Sequence, residues 1–272
     1  CQNFLNLNLD GFNTANVIDF QNMFERCYNL IDLDLSSFSI SNESVTNNMF
    51  SGCTKLAAIQ VGYAEIPAEE YANIGNPNLL VYVNEARLAP EGVQNVVVNG
   101  VAKEIVLKDA EGNNNWYCPE PFRAEKISYT REFRQQTQIG ISRGWESLAL
   151  PFAVQTITHQ DKGVIAPFGS DASGLHFWLR RLGHEGLTSV QRIEANTPYV
   201  ISMPNSEDYP ERFNLNGRVT FAAQDAYVER TEQMADESAD YMMVPAFQRM
   251  AVSEDIYALN VGEERNGRPE GS

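Results

Sequence analysis

Apolar residues recur every 26 positions in the first quarter of the chain. The first complete row holds Met23, Phe24, Cys27, Leu30, Leu33, Leu35 and Phe38, and the second holds Met49, Phe50, Cys53, Leu56, Ile59 and Val61. Another step of 26 upstream reaches Cys1, Phe4, Leu7, Leu9 and Phe12. A constant period with an L-x-x-L-x-L core predicts stacked leucine-rich repeats, because one repeat cannot bury its own apolar face.

Each row divides into a strand and an upstream segment. Leu33 and Leu35 alternate with polar residues, so both side chains point to the same face of a short strand. Phe24, Cys27 and Leu30 are spaced as on a helix, and we expect them to fill the inside of the coil. Asparagines between the apolar positions suit the corners where the chain turns.

The repeat resembles a known family. Phe12-Asn13-Thr14-Ala15-Asn16 precedes one Met-Phe-x-x-Cys-x-x-Leu run, and Phe38-Ser39-Ile40-Ser41-Asn42 precedes the next. This pattern resembles the BspA-like leucine-rich repeat in surface proteins of gut anaerobic bacteria, over residues 1 to about 62. The resemblance implies a solenoid and, for some members, adhesion to host matrix proteins.

Residues 63–92 predict a degenerate last turn that caps the array. Pro67 begins a short helix-like stretch, and Leu79–Val83 forms an apolar strand, so residues 1–92 are predicted to be the solenoid. Residues 93–115 predict a hairpin and a linker, because Asn99-Gly100 stands between Val96–Val98 and Glu104–Leu107.

Residues 116–272 predict an antiparallel β-sandwich, since short strand-like runs alternate with turn residues. The runs are Lys126–Thr130, Trp145–Leu150, Phe177–Leu182, Pro198–Met203, Arg218–Phe221, Tyr241–Val244 and Asp255–Leu259. The expected fold class is therefore mainly β with short helices, a leucine-rich repeat solenoid followed by an antiparallel sandwich.

A second resemblance supports the sandwich. Gly144-Trp145-Glu146-Ser147-Leu148 and Ala195-Asn196-Thr197-Pro198-Tyr199 look like the β-sandwich module that often follows such repeats in the same surface proteins. That module has no established activity. It usually runs on through further strands, so we expect this sandwich to be incomplete at its C-terminus.

Charge and composition limit the partners. The chain holds 36 Asp and Glu against 20 Lys and Arg, a net charge of −16, which disfavours nucleic acid. No run of 18 apolar residues exists, so no membrane span is predicted. The four cysteines match no zinc pattern. We expect a monomer without metal or cofactor.

Cys1 has two interpretations. It is either a repeat position equivalent to Cys27 and Cys53 or a lipid-modified cysteine left after signal cleavage. The shared register favours the first, which predicts an array that continues upstream. The expected location is extracellular or on the cell surface, after export through an N-terminal signal outside this sequence.

Catalytic patterns are weak. Gly140-Ile141-Ser142-Arg143-Gly144 matches the G-x-S-x-G nucleophile elbow, which needs a helix after the serine, whereas a strand-like run ending at Pro151 follows here. We interpret the motif as a hairpin turn. His159, His176 and His184 show no metal-ligand spacing. The chain is predicted not to be an enzyme.

The outer strand positions of the repeats form the predicted binding surface. Inward-pointing Leu33 leaves Asp32 and Asp34 on the outer face, where a solvated polar column is favoured over a metal site. The predicted binding residues are Asn6, Asn8, Asp32, Asp34 and Gln60, with Ala58 between them in the column. We expect a non-catalytic adhesion protein that binds a host matrix protein or a glycan.

An alternative function places the ligand on the sandwich. Trp116, Trp145 and Trp178 would stack on sugars if exposed, which would favour a carbohydrate-binding or carbohydrate-processing surface protein. Two of these tryptophans lie within strand-like apolar runs, so core packing is the prediction for them.

Overall fold

The computed structural model describes residues 7–110, 115–140, 142–172, 174–183, 186–231 and 243. The fold is mainly β, as predicted, with one α-helix, α1 (Ala68–Ala72), and a 3-10 turn at Ala86–Leu88 within those ranges. The described strands are β1 (Asp32–Asp34), β2 (Ala58–Gly62), β3 (Leu80–Val83), β4 (Val96–Val98), β5 (Val101–Ala102), β6 (Ile105–Lys108), β7 (Phe122–Glu132), β8 (Glu146–Leu148), β9 (Thr156–His159), β10 (Gly163–Pro167), β11 (Leu175–Gly183), β12 (Gly186–Ser189), β13 (Tyr199–Ser202) and β14 (Arg218–Val228). No helix in these ranges is long and apolar enough to cross a membrane.

The chain divides into two compact units. Unit 1 comprises Cys1–Ile127 with Gln224–Met234, and unit 2 comprises Ser128–Ala223 with Ala235–Ser272. The predicted boundaries at residues 92 and 115 do not coincide with this division. Strands β4 and β6, which come from the predicted hairpin and linker, lie within unit 1. Strand β4 pairs with β3 and so continues the parallel ladder of β1 to β3.

Strands β1 to β4 form a parallel ladder in unit 1. Leu33 pairs with Ile59, Ile59 with Val81, and Val81 with Val96. The first offset equals the 26-residue sequence period, and the later offsets are shorter. The inward-facing leucine, isoleucine and valine of the first three strands are fully buried. The ladder therefore places equivalent apolar positions of successive rows beside one another.

The periodic backbone extends beyond the strands. Asn22 and Asn48 both adopt a positive φ, at 57° and 58°, and so do Arg26 and Gly52, at 58° and 79°. Each pair is one period apart. Rows are also joined by backbone hydrogen bonds between corners, such as Arg26 N–H to the carbonyl of Ser51 at 2.7 Å. The corner conformation is thus repeated along with the apolar pattern.

Aromatic rings and thiols of successive rows share one core. The rings of Phe24 and Phe50 stack with centroids 6.2 Å apart and planes 17° apart. Cys27 and Cys53 are free and buried, and the Cys53 thiol donates to the carbonyl of Phe24 at 3.1 Å. Burial raises the pKa of Cys53 to about 12, so its thiol stays neutral and packs as a small apolar group. Cys1 lies outside the described residues.

Helix α1 carries a carboxylate that caps the repeat array. In the first row, Asn22 N–H and Phe24 N–H reach carbonyls of the second row, those of Asn47 and Met49. In the second row, Asn48 N–H and Met49 N–H reach the Glu70 carboxylate instead, at 3.2 and 2.9 Å. Burial raises the pKa of Glu70, and these two donors oppose that rise. At Asn48, the position equivalent to Asn22, Glu70 therefore supplies the acceptor that a carbonyl of a further row would have supplied. Met49 N–H also donates to the carbonyl of Thr46 in its own row.

A tight turn lies at Asn99-Gly100, where the sequence predicts a hairpin. Asn99 and Gly100 both have positive φ, and they join β4 to β5 in an antiparallel pair. The expected partner strand, β6, pairs with β7 instead. Its backbone is held by the Asn95 side chain, which accepts from Val106 N–H at 2.8 Å and donates to the carbonyl of Val106.

Unit 2 is a mixed sheet and not a purely antiparallel one. Strand β13 pairs antiparallel with β8 and β11, but β10 and β11 are parallel, with Ile165 beside Leu175. Strands β9, β10 and β12 were not predicted, because alternation alone does not separate short strands from loops. The runs at Tyr241–Val244 and Asp255–Leu259 lie outside the described residues except for residue 243.

A buried ion pair anchors the start of β8. The Arg131 guanidinium contacts the Glu146 carboxylate at 2.5 Å, and their side chains are 18% and 8% exposed. The same carboxylate accepts from Gln135 N–H at 2.9 Å, and Arg131 stacks over the ring of Phe133. Because Glu146 follows Trp145 directly, this contact also helps to position that tryptophan.

Candidate binding surfaces

The outer positions of β1 and β2 bring three predicted residues together. Asp34 lies beside Gln60, and Asp32, two residues before Asp34 on the same face of β1, lies beside Ala58. Asp32, Asp34 and Gln60 are half-buried, whereas Ala58 is fully buried. Asn8 is exposed in an irregular segment, and Asn6 lies outside the described residues. The structure therefore groups three of the five predicted residues.

The outer face of the ladder is more covered than the sequence predicts. Leu80 and Val97, on the outer side of β3 and β4, have no exposed surface. The neighbouring Tyr82 ring meets the Phe122 ring edge-on at 6.1 Å, and its hydroxyl donates to the carbonyl of Glu120 at 2.9 Å. The expected flat polar wall is thus confined to β1 and β2, because a distant segment of unit 1 covers the next strands.

Two of the predicted binding residues also hold the backbone. The Asn8 side chain accepts from Asp10 N–H at 2.9 Å, and the Asp34 carboxylate accepts from Ser36 N–H at 2.8 Å. The two contacts are one 26-residue period apart and belong to the same corner of the repeat. Asp34 consequently has a structural role in addition to any ligand contact.

Asp32 is an unusual carboxylate on this face. Its Oδ1 atom is inaccessible to solvent and has no hydrogen-bond partner among the described residues. Burial raises the pKa of Asp32 to about 6, the charge of Asp34 adds to the rise, and Arg230 opposes it. Within the described ranges, no group of three His, Cys, Asp or Glu residues is arranged to hold a metal ion.

Strand β11 presents its polar and aromatic residues on one face of unit 2. Phe177 and Leu179 are buried, while the alternating residues His176, Trp178 and Arg180 are half-buried on the opposite side. The prediction that Trp145 and Trp178 pack in the core is therefore wrong, since both are partly exposed. Trp116, in unit 1, is buried at 3% exposure.

Four rings form a continuous surface, here called the aromatic strip, that consists of Phe168, His176, Trp178 and Tyr209. The Phe168 ring lies 5.1 Å from the Trp178 ring and 5.4 Å from the His176 ring, between centroids. The Tyr209 ring follows at 6.4 Å from Trp178. Adjacent planes are tilted by 35° to 57°, and Phe168 is 45% exposed. The rings make a shallow, uneven aromatic surface.

Arg180 extends the strip toward Trp145. Its guanidinium lies over the Trp145 ring at 5.0 Å from the centroid, and the Trp145 indole N–H donates to the Ser142 hydroxyl at 3.0 Å. No carboxylate lies within ion-pair distance of Arg180 in the described part of the chain. Among the described residues, this arginine thus contacts an aromatic ring and has no ion-pair partner.

The segment around Ser142 lacks the framework of a nucleophile elbow. The serine leads through Gly144 into strand β8 and not into a helix. The His176 Nδ1 atom faces the carbonyl of Ala166 at 3.3 Å, and the Ser142 hydroxyl faces Trp145. The described geometry thus places no base beside the serine.

Sequence reasoning missed Phe168, His176, Arg180 and Tyr209 as surface residues. For β11 a usable signal existed, because His176-x-Trp178-x-Arg180 alternates with apolar residues. Phe168 and Tyr209 come from other parts of the chain, and only the fold brings their rings to Trp178.

Comparison with known proteins gives a partial match. Residues 1–62 match the family model described as "Mycoplasma protein of unknown function, DUF285". A comparison with curated proteins and one with solved structures each found no match. The matched segment contains the 26-residue repeat and ends at the last residue of β2, and the family description assigns it no function.

Proposed function

We propose that this chain is a non-catalytic binding protein of the cell surface whose unit 1 is a leucine-rich repeat solenoid of the BspA-like kind. The β1–β2 register supports this proposal, because it equals the 26-residue sequence period. Corner conformations that recur at Asn22 and Asn48 support it as well. The ligand is a host matrix protein or a glycan.

The binding surface of unit 1 is the outer side of β1 and β2. The observation that carries this assignment is the lateral pairing of Asp34 with Gln60. Both side chains are half-buried, so a ligand meets a carboxylate and an amide that are held by a rigid ladder. Asn8 is an exposed polar residue one period upstream of Asp34.

Binding of immobilised host matrix proteins and glycans by the full chain tests this proposal. Gln60→Lys changes the surface without removing a described hydrogen bond of that side chain, and we expect at least a tenfold loss of affinity. Gln21→Lys makes the same change at an exposed corner of unit 1 and serves as the matched control. Equal affinities of the two variants would exclude β1 and β2 as the binding surface.

A second candidate function is carbohydrate binding by unit 2, for which we also propose a sandwich architecture. The aromatic strip favours it, since partly exposed aromatic rings provide flat apolar surfaces with polar edges. Trp178→Ala should abolish glycan binding by this unit, whereas Gln60→Lys should leave it unchanged. The two variants therefore separate the two candidate surfaces.

A further inference from the structure

We infer that the aromatic strip and Arg180 together bind an oligosaccharide that carries a carboxylate, such as a uronic acid. A sugar ring lies against Trp178 and Phe168, and the Arg180 guanidinium binds the acidic group. This inference rests on the second candidate function, glycan binding by unit 2, and it adds the chemical class of the ligand and the residue that selects it.

The strip has the surface that a sugar ring needs. One face of a pyranose presents C–H groups, which are apolar and pack against an aromatic ring, while its hydroxyls remain at the rim. The ring centroids of Trp178 and Phe168 are 5.1 Å apart and their planes are tilted by 39°, so the two rings pack together into one aromatic surface. Phe168 is 45% exposed, which leaves a ring available for a ligand.

Arg180 is positioned to bind a carboxylate of the same ligand. It lies two residues after Trp178 on the same face of β11, at a spacing of about 6.6 Å along a strand. Stacking on Trp145 restricts the guanidinium, which reduces the conformational entropy lost on binding. Its five N–H donors fit a carboxylate in a bidentate contact.

The charge distribution favours one acidic group at the Arg180 end. Residues 128–223 contain nine Lys and Arg and nine Asp and Glu, so this segment is neutral in a chain of net charge −16. Arg180, which has no carboxylate partner among the described residues, is therefore a local positive site for a ligand anion.

Acidic residues adjoin Tyr209, which contacts Trp178 from another segment of the chain. Glu207 and Asp208 are exposed beside Tyr209, and the nearby Lys162 is paired with Glu211 at 2.8 Å. A ligand is thus oriented with its carboxylate toward Arg180 and a neutral sugar toward Tyr209. This asymmetry disfavours single-stranded nucleic acid, which stacks on aromatic rings but also carries a phosphate at every step.

Calorimetric titration of the full chain tests the inference with matched probes. The probes are a galacturonic acid hexamer, its fully methyl-esterified form and a dT12 oligonucleotide, with a hyaluronan octamer as a second acid. We expect the acids to bind and the ester to bind at least tenfold more weakly. Arg180→Gln should remove the difference between acid and ester.

Control variants separate stacking from charge. Trp178→Ala should abolish binding of every sugar probe, and Trp178→Phe should restore part of it. Arg181→Gln removes the neighbouring, exposed arginine and should leave all affinities unchanged. Thermal unfolding of each variant shows that the fold is retained.

Three outcomes would overturn the inference. Equal binding of acid and ester, unaffected by Arg180→Gln, would remove the carboxylate assignment and leave glycan binding by unit 2 in place. Absence of binding by both acids would remove the acidic glycan altogether. Tighter binding of dT12 than of either acid would replace the glycan with a nucleic acid.

Discussion

Unit 1 and unit 2 are both built from short strands, but they hold those strands in different ways. In unit 1, the first two rows pair at an offset of one 26-residue period, and two corner positions have the same positive φ in both rows. In unit 2, the sequence separation between paired residues varies widely. Thr158 pairs with the nearby Val164, whereas His159 pairs with Val219, which lies far along the chain. Regular stacking spreads stability over many similar contacts, whereas an irregular sheet depends on a few specific anchors.

Charge differs between the two units as well. Residues 1–127 contain 16 Asp and Glu and seven Lys and Arg, whereas residues 128–223 contain nine of each. With the remaining segments included, unit 1 has 19 Asp and Glu against eight Lys and Arg, and unit 2 has 17 against 12. Unit 1 therefore repels anionic ligands more strongly than unit 2 does. The two units therefore differ both in how their strands are held and in net charge. Substitutions with a control at a comparable position test each difference.

The largest expected effect is the loss of the buried ion pair in unit 2. Glu146→Ala removes the carboxylate that pairs with Arg131 and accepts from Gln135 N–H, at a cost of about 3–5 kcal/mol. Urea unfolding of unit 2 measures the change.

The exposed pair of Arg123 and Asp225 in unit 1 is the control. Arg123→Ala should cost less than about 1 kcal/mol, because solvent screens an exposed ion pair. Similar losses of stability in the two variants would show that the pair of Arg131 and Glu146 stabilises the fold no more than an exposed ion pair does.

Removal of the capping carboxylate should give the next largest effect. Glu70→Ala removes the acceptor of Asn48 N–H and the charged acceptor of Met49 N–H, which keeps the carbonyl of Thr46. We expect unit 1 to lose about 2–4 kcal/mol. Glu69→Ala, in the same helix turn but outside this contact, should change stability by under about 0.5 kcal/mol. A loss for Glu70→Ala as small as that for Glu69→Ala would mean that water replaces the carboxylate.

The close packing of successive rows predicts that replacing a corner glycine destabilises unit 1, by less than the loss of Glu70 does. Gly62 has a φ of +62°, and an added Cβ would lie 2.8 Å from the Cα of Ser36 in the row before. Gly62→Ala should therefore cost about 2–3 kcal/mol, from backbone strain and overpacking together. Gly75 has a φ of +74° and open space around it, so Gly75→Ala should cost only about 1 kcal/mol. Chemical denaturation of the two alanine variants measures the difference in their stability.

The smallest expected effect depends on pH. The pKa of Asp32 is about 6 in the fold against an ordinary 3.8, so folding favours its protonated form. Its stabilising contribution is present below about pH 4 and is lost as the pH rises through 6. Asp32→Asn should stabilise unit 1 by about 1–2 kcal/mol at pH 7.5 and change little at pH 4.

Denaturant unfolding at several pH values measures this difference. Asp171→Asn, which removes an exposed carboxylate from unit 2, is the control for a change of net charge. A gain for Asp32→Asn that is the same at pH 4 and pH 7.5 would contradict the assigned cause.

The sequence predicted most of the strand pairing in unit 1, but not which part of its outer face is covered. Leu33 and Ile59 could be placed side by side from their spacing alone, because each row repeats the environment of the last. The cover provided by Phe122 and Glu120 could not be predicted, since those residues lie about 40 positions from Tyr82 and carry no periodic signal.

In unit 2, the sequence predicted several strands but not the face that each tryptophan takes. Apolar residues on both sides of Trp178 suggested a core position, whereas alternation within β11 turned its ring outward. The parallel pairing of β10 with β11 was also beyond prediction, because a strand's residues do not specify the direction of its neighbour.

What the sequence by itself determined is the 26-residue register, the corner conformations and the buried thiols of unit 1, because these follow from contacts between equivalent positions in successive rows. What only the tertiary structure decided is which surfaces remain open: the narrowed face at Asp34 and Gln60, and the strip where Phe168 and Tyr209 meet Trp178. Exposure depends on segments that are distant in sequence, and a local pattern contains no information about which of them will pack over it.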